Sequence, residues 1–203
     1  MSATLVSPPA LVLASTSPRR RELLSARGVA HEAIAPGIDD AELRRGAGVR
    51  PDHWTAGLAY LKARAAVHLL GERAAGRTVL GADTIVVRGS MVVSAPRDEA
   101  DARVMIGALS GGMHDVLTGV ALVRAASGGG ESARVIFVDR SRVEVGALSE
   151  EQIDAYVRSG GWRGKAGGYN LMERLAEGWP IRFEGDATSI MGLPMRRLEA
   201  WLV

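Results

Sequence analysis

Short apolar runs alternate with stretches of helical spacing along this chain. LVLAS (11–15) predicts a short buried strand. Ser17 and Pro18 predict a helix start, serine as N-cap and proline at the first helical position, running through RRRELLSAR to Gly28. Residues 35–52, rich in Gly, Pro and charge, predict a loop. Apolar residues at helical spacing over 53–70 predict a helix stopped by Gly71. TVLGADTIVV (78–87) is a β-prone run that Gly-Ala-Asp is expected to break, with a turn at Gly89 and Ser90 leading into MVV. Pro96 precedes a predicted helix over 97–109. Residues 114–125 and 133–145 predict a hairpin across a Gly-rich loop, and Ser149 with Gln152 predicts a capping box for the next helix. Residues 159–170 are Gly-rich and too long for a simple turn; a short strand at 180–183 and a helix opened by Pro194 follow. Helices alternating with strands predict an α/β class, and the hairpin makes the sheet mixed.

The 203 residues, 47% of them hydrophobic, are enough for one sizeable core, and a single domain over 1–203 is expected. With aromatics at 4%, that core must come from Val, Leu, Ile and Ala. The lack of cysteine excludes a disulfide framework and a cysteine metal site. The first ten residues lack a signal-peptide pattern, and no apolar run approaches the roughly 18 residues of a membrane span. A cytoplasmic protein with no membrane partner is therefore expected. A formal charge of +2 does not argue for a nucleic-acid partner. The positive charge is instead clustered, at Arg19–Arg21, Arg44–Arg45 and Arg196–Arg197.

Arginines in the first turn of a helix oppose its dipole unless an anion uses them, and Arg grips phosphate oxygens in a fork. The first cluster is thus either an anion site or a solvated basic face. Asp83, between apolar neighbours, is either a hydrogen-bonded buried carboxylate or one projecting from a strand end as metal ligand or general base. Gly81 and Ala82 leave room for a ligand there, and Thr84 offers a hydroxyl. Lys165 in RGKAGGYN is either an anion contact or part of a mobile surface loop. This stretch is no P-loop: Ser159 stands at the first glycine position, Ala166 replaces the magnesium-binding hydroxyl, and a helix precedes it. Lys62, alone on its helix, reads as solvent-facing by periodicity. The four histidines share no ligand spacing and are assigned no role. Taken together, Arg19, Arg20, Lys62, Lys165 and one acid suit a polyphosphate bound with a divalent ion.

The stretches LASTSPRRRELL (13–24), PGIDDAEL (36–43), LAYLKA (58–63), GADTIVV (81–87), the run 96–122, GKAGGYN (164–170) and GLPMRRLEAWL (192–202) resemble the Maf family of nucleoside triphosphate pyrophosphatases, also called septum-formation inhibitors. The resemblance implies a mixed-sheet fold like that of the inosine triphosphate pyrophosphatases, with a cleft between two lobes, and a homodimer. It implies hydrolysis of a nucleoside triphosphate to monophosphate and pyrophosphate with Mg or Mn, in a house-cleaning role. The Ala-Asp-Thr run is similar to the branch acting on dTTP and UTP; a branch acting on modified guanine nucleotides usually differs after the Asp. By the same resemblance, Asp83 accepts the proton from water and organises the metal. Ser15, Arg19 and Arg20 hold phosphates with Thr84, Lys62 and Lys165 neutralise charge, and Arg19, Thr84 and the residue at 172 set specificity. Two departures stand out. Ala95 replaces a lysine before Pro96, and Met172 replaces a glutamine, followed by Glu173 and Arg174 in place of a Gly-rich continuation. They leave an alternative open, a diverged non-catalytic nucleotide-binding regulator of cell division.

Overall fold

The computed structural model describes residues 10–38, 43–93 and 95–202. β1 (Leu11–Ala14) leads through helix α1 (Pro18–Ala26) to β2 (His31–Ile34), and α2 (Pro51–Leu70) carries the chain to β3 (Thr78–Arg88). β1 pairs in parallel with both β2 and β3. Every later pairing is antiparallel. β4 (Met91–Val93) folds back on β3, and α3 (Glu99–Leu109) leads into the hairpin of β5 (Gly112–Ala125) and β6 (Glu131–Val145). α4 (Glu150–Ser159), α5 (Leu171–Ala176), β7 (Ile181–Glu184), α6 (Ala187–Ile190) and α7 (Met195–Leu198) complete the order. The sheet runs β2-β1-β3-β5-β6-β7, with β4 beside β3. The expected mixed α/β sheet is what the structure contains. Among the described residues, no helix is long and apolar enough to cross a membrane.

The expected break at Gly-Ala-Asp does not occur. β3 runs unbroken from Thr78 to Arg88, so Asp83 lies in mid-strand and not at a strand end. The glycine serves a different purpose. α2 crosses so close that a Cβ on Gly81 would sit 2.1 Å from the Ala59 carbonyl oxygen, and one on Gly119 of β5 would sit 2.5 Å from that of Thr55. Small residues on the helix match them. Ala59, Ala63, Ala66 and Val67 pack on Val12, Val79, Ala121 and Val123. The opposite face of the sheet is covered by Leu24 of α1 and Leu198 of α7, against Leu13, Leu80 and Val120. A third cluster joins Ile106 of α3 and Tyr156 of α4 to Val86, Val116 and Val143.

Other differences are local. Ser17 is the N-cap residue of α1, but its side chain makes no capping hydrogen bond. The capping box at Ser149 and Gln152 forms as expected. β2, α5 and α6 have no prior expectation in the sequence. β2 is an edge strand with no fully buried residue, and the six-residue α5 and the single turn α6 are secured by the caps Asn170 and Asp186. The C-terminal helix is one turn, continued by a 3-10 turn over Glu199–Trp201. Part of the 35–52 loop, residues 39–42, lies outside the described residues.

His114, one of the histidines without a sequence role, is a core group. It is buried, packs edge-on against Tyr169, and shares a 2.8 Å hydrogen bond between its Nε2 and the Tyr169 hydroxyl. Burial, helped by the nearby Arg88 charge, lowers its pKa to about 4.

Gly81→Ala should destabilise by on the order of 3 kcal/mol in a denaturant titration, because the obstacle is backbone. Gly57→Ala, on the open side of α2 with nothing within 4 Å of the added Cβ, should stabilise by about 0.5–1 kcal/mol. His114 binds a proton more weakly folded than unfolded. Stability should therefore fall as pH drops from about 6.5 to about 4, by up to about 3 kcal/mol, and level off below. His114→Gln should flatten that part of a stability-versus-pH curve.

Candidate functional site

Strand geometry makes the site. Side chains alternate along β3, so Val79, Gly81 and Asp83 face α2, whereas Leu80, Ala82 and Thr84 face α1 and α7. The two adjacent polar residues therefore meet different partners. Asp83 Oδ1 accepts a 2.6 Å hydrogen bond from Lys62 Nζ, an ion pair in which both side chains are less than a tenth exposed. Lys62 is thus not solvent-facing. It lies in the buried stripe of Thr55, Leu58, Ala59, Ala63 and Ala66, spaced three and four apart.

On the other face, Arg20 of α1 is buried and fixed on three sides. Nε donates to the Gly192 carbonyl at 3.0 Å, Nη1 to Ser15 Oγ at 3.2 Å and Nη2 to Thr84 Oγ1 at 3.2 Å. Thr118, opposite Thr84 in the β3–β5 register, lies 3.0 Å from it hydroxyl to hydroxyl and donates to the Ser189 carbonyl at 2.8 Å. The single Thr118 proton is committed to Ser189, so Thr84 donates to Thr118 and receives Arg20 on its lone pairs. Ser15 Oγ also accepts from the Ser17 N–H at 3.2 Å, which holds the backbone of the N-cap residue of α1.

Arg19 leans the other way from α1. Its Nη2 donates to the Gly164 carbonyl at 3.0 Å. Burial pulls its pKa below the ordinary arginine value, and the Glu173 carboxylate acts in the opposite sense. Lys165 stands just before the turn Ala166–Gly168, its ammonium held by Glu173 Oε2. Glu173 sits in the first turn of α5, whose N-cap Asn170 accepts from the Met172 and Glu173 amides at 2.9 and 3.3 Å. Arg174 anchors that helix, buried with its guanidinium 4.4 Å from the Tyr156 ring centre and 2.6 Å from Glu177.

These groups border a cleft of about 720 Å³. Ser15, Arg19, Arg20, Lys62, Asp83 and Thr84 all line it. Lys165 lies beside it, between the lining residues Gly164 and Ala166. Met172 is not brought to the cleft. Leu171 takes the buried position at the start of α5, which turns Met172 outward, half exposed. Sequence reasoning did not single out Tyr169 and Gly192, which also line the cleft, or Glu173 as a partner for Lys165.

Asp83 Oδ2 is buried and meets no hydrogen-bond partner among the described residues. Those residues contain no cluster of three or more His, Cys, Asp or Glu, and Asp39, Asp40 and Glu42 lie outside them. One carboxylate with an unpaired oxygen fits a hard cation such as Mg or Mn that takes its remaining ligands from phosphate and water.

A buried carboxylate beside a cleft rich in guanidinium and ammonium groups suits a phosphoanhydride. The model of the Maf-like protein family matches residues 10–203. A dTTP/UTP pyrophosphatase of Sphingopyxis alaskensis is 44% identical over 195 residues, 96% of this chain and 95% of its own. A protein of the same name from Caulobacter vibrioides is 41% identical, covering 92% of this chain and 91% of its own. A third, from Symbiobacterium thermophilum, is 40% identical and covers 92% and 89%. Among solved structures, the Ham1 protein of Staphylococcus aureus aligns at a TM-score of 0.40 and 14% identity, over 66% of this chain and 71% of that one. With a family match over all but its first nine residues and relatives this similar over more than nine-tenths of their length, the chain belongs to the Maf-like protein family.

Proposed function

We propose that the protein is a nucleoside triphosphate pyrophosphatase, hydrolysing the bond between the α- and β-phosphates to release a monophosphate and pyrophosphate, with dTTP and UTP as its substrates. The observation that carries this reading is the buried Lys62–Asp83 pair at the floor of a cleft lined by Arg19 and Arg20. Relatives named dTTP/UTP pyrophosphatase, 38–44% identical, support the reaction and the base preference.

On this reading Asp83 is the base. Its Oδ1 is held by Lys62, and Oδ2 takes one proton from the attacking water. Arg20 is held by protein oxygens at three nitrogens, so it meets a phosphate without reorganising. Arg19 gains a counter-anion for a partly desolvated charge, and Lys165 a second one when it exchanges Glu173 for phosphate. The Thr84 proton is committed to Thr118, so Thr84 presents lone pairs and orients Arg20. A bound Mg or Mn, held by Asp83, would supply neutralisation of the phosphate oxygens and a site for the water. Family membership also supports a homodimer and a cytoplasmic location.

The pure protein with Mg or Mn and a panel of nucleoside triphosphates should release pyrophosphate, fastest from dTTP and UTP. Asp83→Asn should lower kcat by about 10³-fold or more; it keeps an acceptor for Lys62 but leaves the buried ammonium without its counter-charge, so the melting temperature should fall as well, and circular dichroism at the assay temperature checks that the variant is still folded. Triphosphate binding without turnover of any nucleotide would sink the enzymatic reading and favour a nucleotide-binding regulator. Glu173→Gln should release the Lys165 ammonium and lower KM for the triphosphate by about two- to fivefold, as removal of a competing counter-ion that is itself half exposed would.

A further inference from the structure

The cations nominated by the sequence are already engaged by protein oxygens. Arg19 holds Gly164, Arg20 holds Gly192, Ser15 and Thr84, Lys62 holds Asp83, and Lys165 holds Glu173. A triphosphate carries several negative charges, and the anhydride that breaks must lie beside Asp83. A second cleft, of about 450 Å³, opens on the other side of that residue. The two clefts share three lining residues: Asp83, Ala95 and Arg97. Of these, Arg97 alone is cationic.

Arg97 is poised for exchange. Its side chain is 73% exposed, and its Nε donates to Asp101 Oδ2 at 3.0 Å. An exposed pair four residues apart is among the weakest of ion pairs, whereas Arg and phosphate form charge-assisted, forked hydrogen bonds. The backbone beneath it is fixed. The Arg97 N–H donates to the same Asp101 oxygen at 3.2 Å, and Asp98 caps α3 by accepting from the Asp101 N–H at 2.8 Å. The guanidinium can therefore turn from Asp101 towards the seam without moving the helix. Ala95, two residues before it, contributes a methyl group at the same seam.

We propose that Arg97 binds the phosphate tail of the substrate at the seam between the two clefts, supplying from position 97 the charge that Ala95 does not. This rests on the pyrophosphatase reading for the identity of the ligand. The contact is to phosphate and not to the base, so inorganic tripolyphosphate should share it.

The test compares the parent protein with Arg97→Ala, Arg97→Lys and the double variant Arg97→Ala/Ala95→Lys, using UTP and dTTP with Mg. Tripolyphosphate serves as inhibitor and as a calorimetric ligand. Arg97→Ala should lower kcat/KM by about tenfold or more and weaken tripolyphosphate by a similar factor, the worth of one charged hydrogen bond, with no loss of thermal stability. Arg97→Lys should fall between, because it keeps the charge and loses the fork. The double variant should recover most of the loss. Values for Arg97→Ala within twofold of the parent, in both kcat/KM and tripolyphosphate affinity, would overturn the proposal. If the parent hydrolyses no nucleotide, the pyrophosphatase reading fails by itself. Tripolyphosphate titration then still decides on Arg97: an unchanged dissociation constant in Arg97→Ala rejects it.

Discussion

A lysine and an aspartate, both buried, face each other across the gap between α2 and β3, and much of the molecule is arranged so that they can. Moving either charge out of water is expensive, and removing one partner would strand the other. The pair needs the helix close to the sheet. Lys62 Nζ reaches Asp83 Oδ1 at 2.6 Å because Gly81 and Gly119 present no Cβ to the helix and because α2 lays alanines against the strands. A side chain at either glycine would meet helix backbone, which cannot turn aside. The small residues of this interface are thus the condition for a 2.6 Å ion pair inside the protein.

The opposite face of the same strand carries the complementary arrangement. Thr84 points towards α1, and the chain Arg20–Thr84–Thr118–Ser189 ties α1, β3, β5 and α6 together through hydrogen bonds with a single consistent direction. Arg20 is also tied to Gly192 and to Ser15 at the end of β1. A guanidinium held this way is an electrostatic fixture, with little freedom left to lose when an anion arrives. Two neighbouring residues of one strand thus set a base on one side and orient a cation on the other, because the pleat sends them to opposite faces.

The sequence was legible where local chemistry governs. The first helix after Pro18, the long helix ending at Gly71, the 112–145 hairpin and the capping box at Ser149 all follow from residues within a turn or two of each other. It misled where long-range packing decides. Gly-Ala-Asp looked like a strand breaker because its reason for being small lies on α2, more than fifteen residues away. Lys62 looked solvent-facing because lysine usually is, although the spacing of Thr55, Leu58, Ala59, Ala63 and Ala66 runs through its position. Ser17 takes the N-cap position that the sequence assigns it, and only the side-chain hydrogen bond that usually comes with that position is missing. The link between Lys165 and Glu173 could not be read at all, since it depends on how α5 is anchored by Arg174 on Tyr156.

The carboxylates around the cleft differ in one respect that separates their roles. The Asp83 side chain is 7% exposed, whereas Glu173 is 43% and Asp101 29% exposed. Water competes for the outer two carboxylates, so the pair with exposed Arg97 is weak and the pair with Lys165, whose own side chain is 12% exposed, breaks from the Glu173 side. It scarcely reaches the inner one, so the Lys62–Asp83 pair is persistent. A site assembled from cations alone would repel itself and strain the fold. One with every cation buried in a permanent pair would have nothing to offer a phosphate. The gradient of exposure resolves this conflict: the counter-ions that must leave are at the rim, and the one that must stay, because it acts on water, is at the floor.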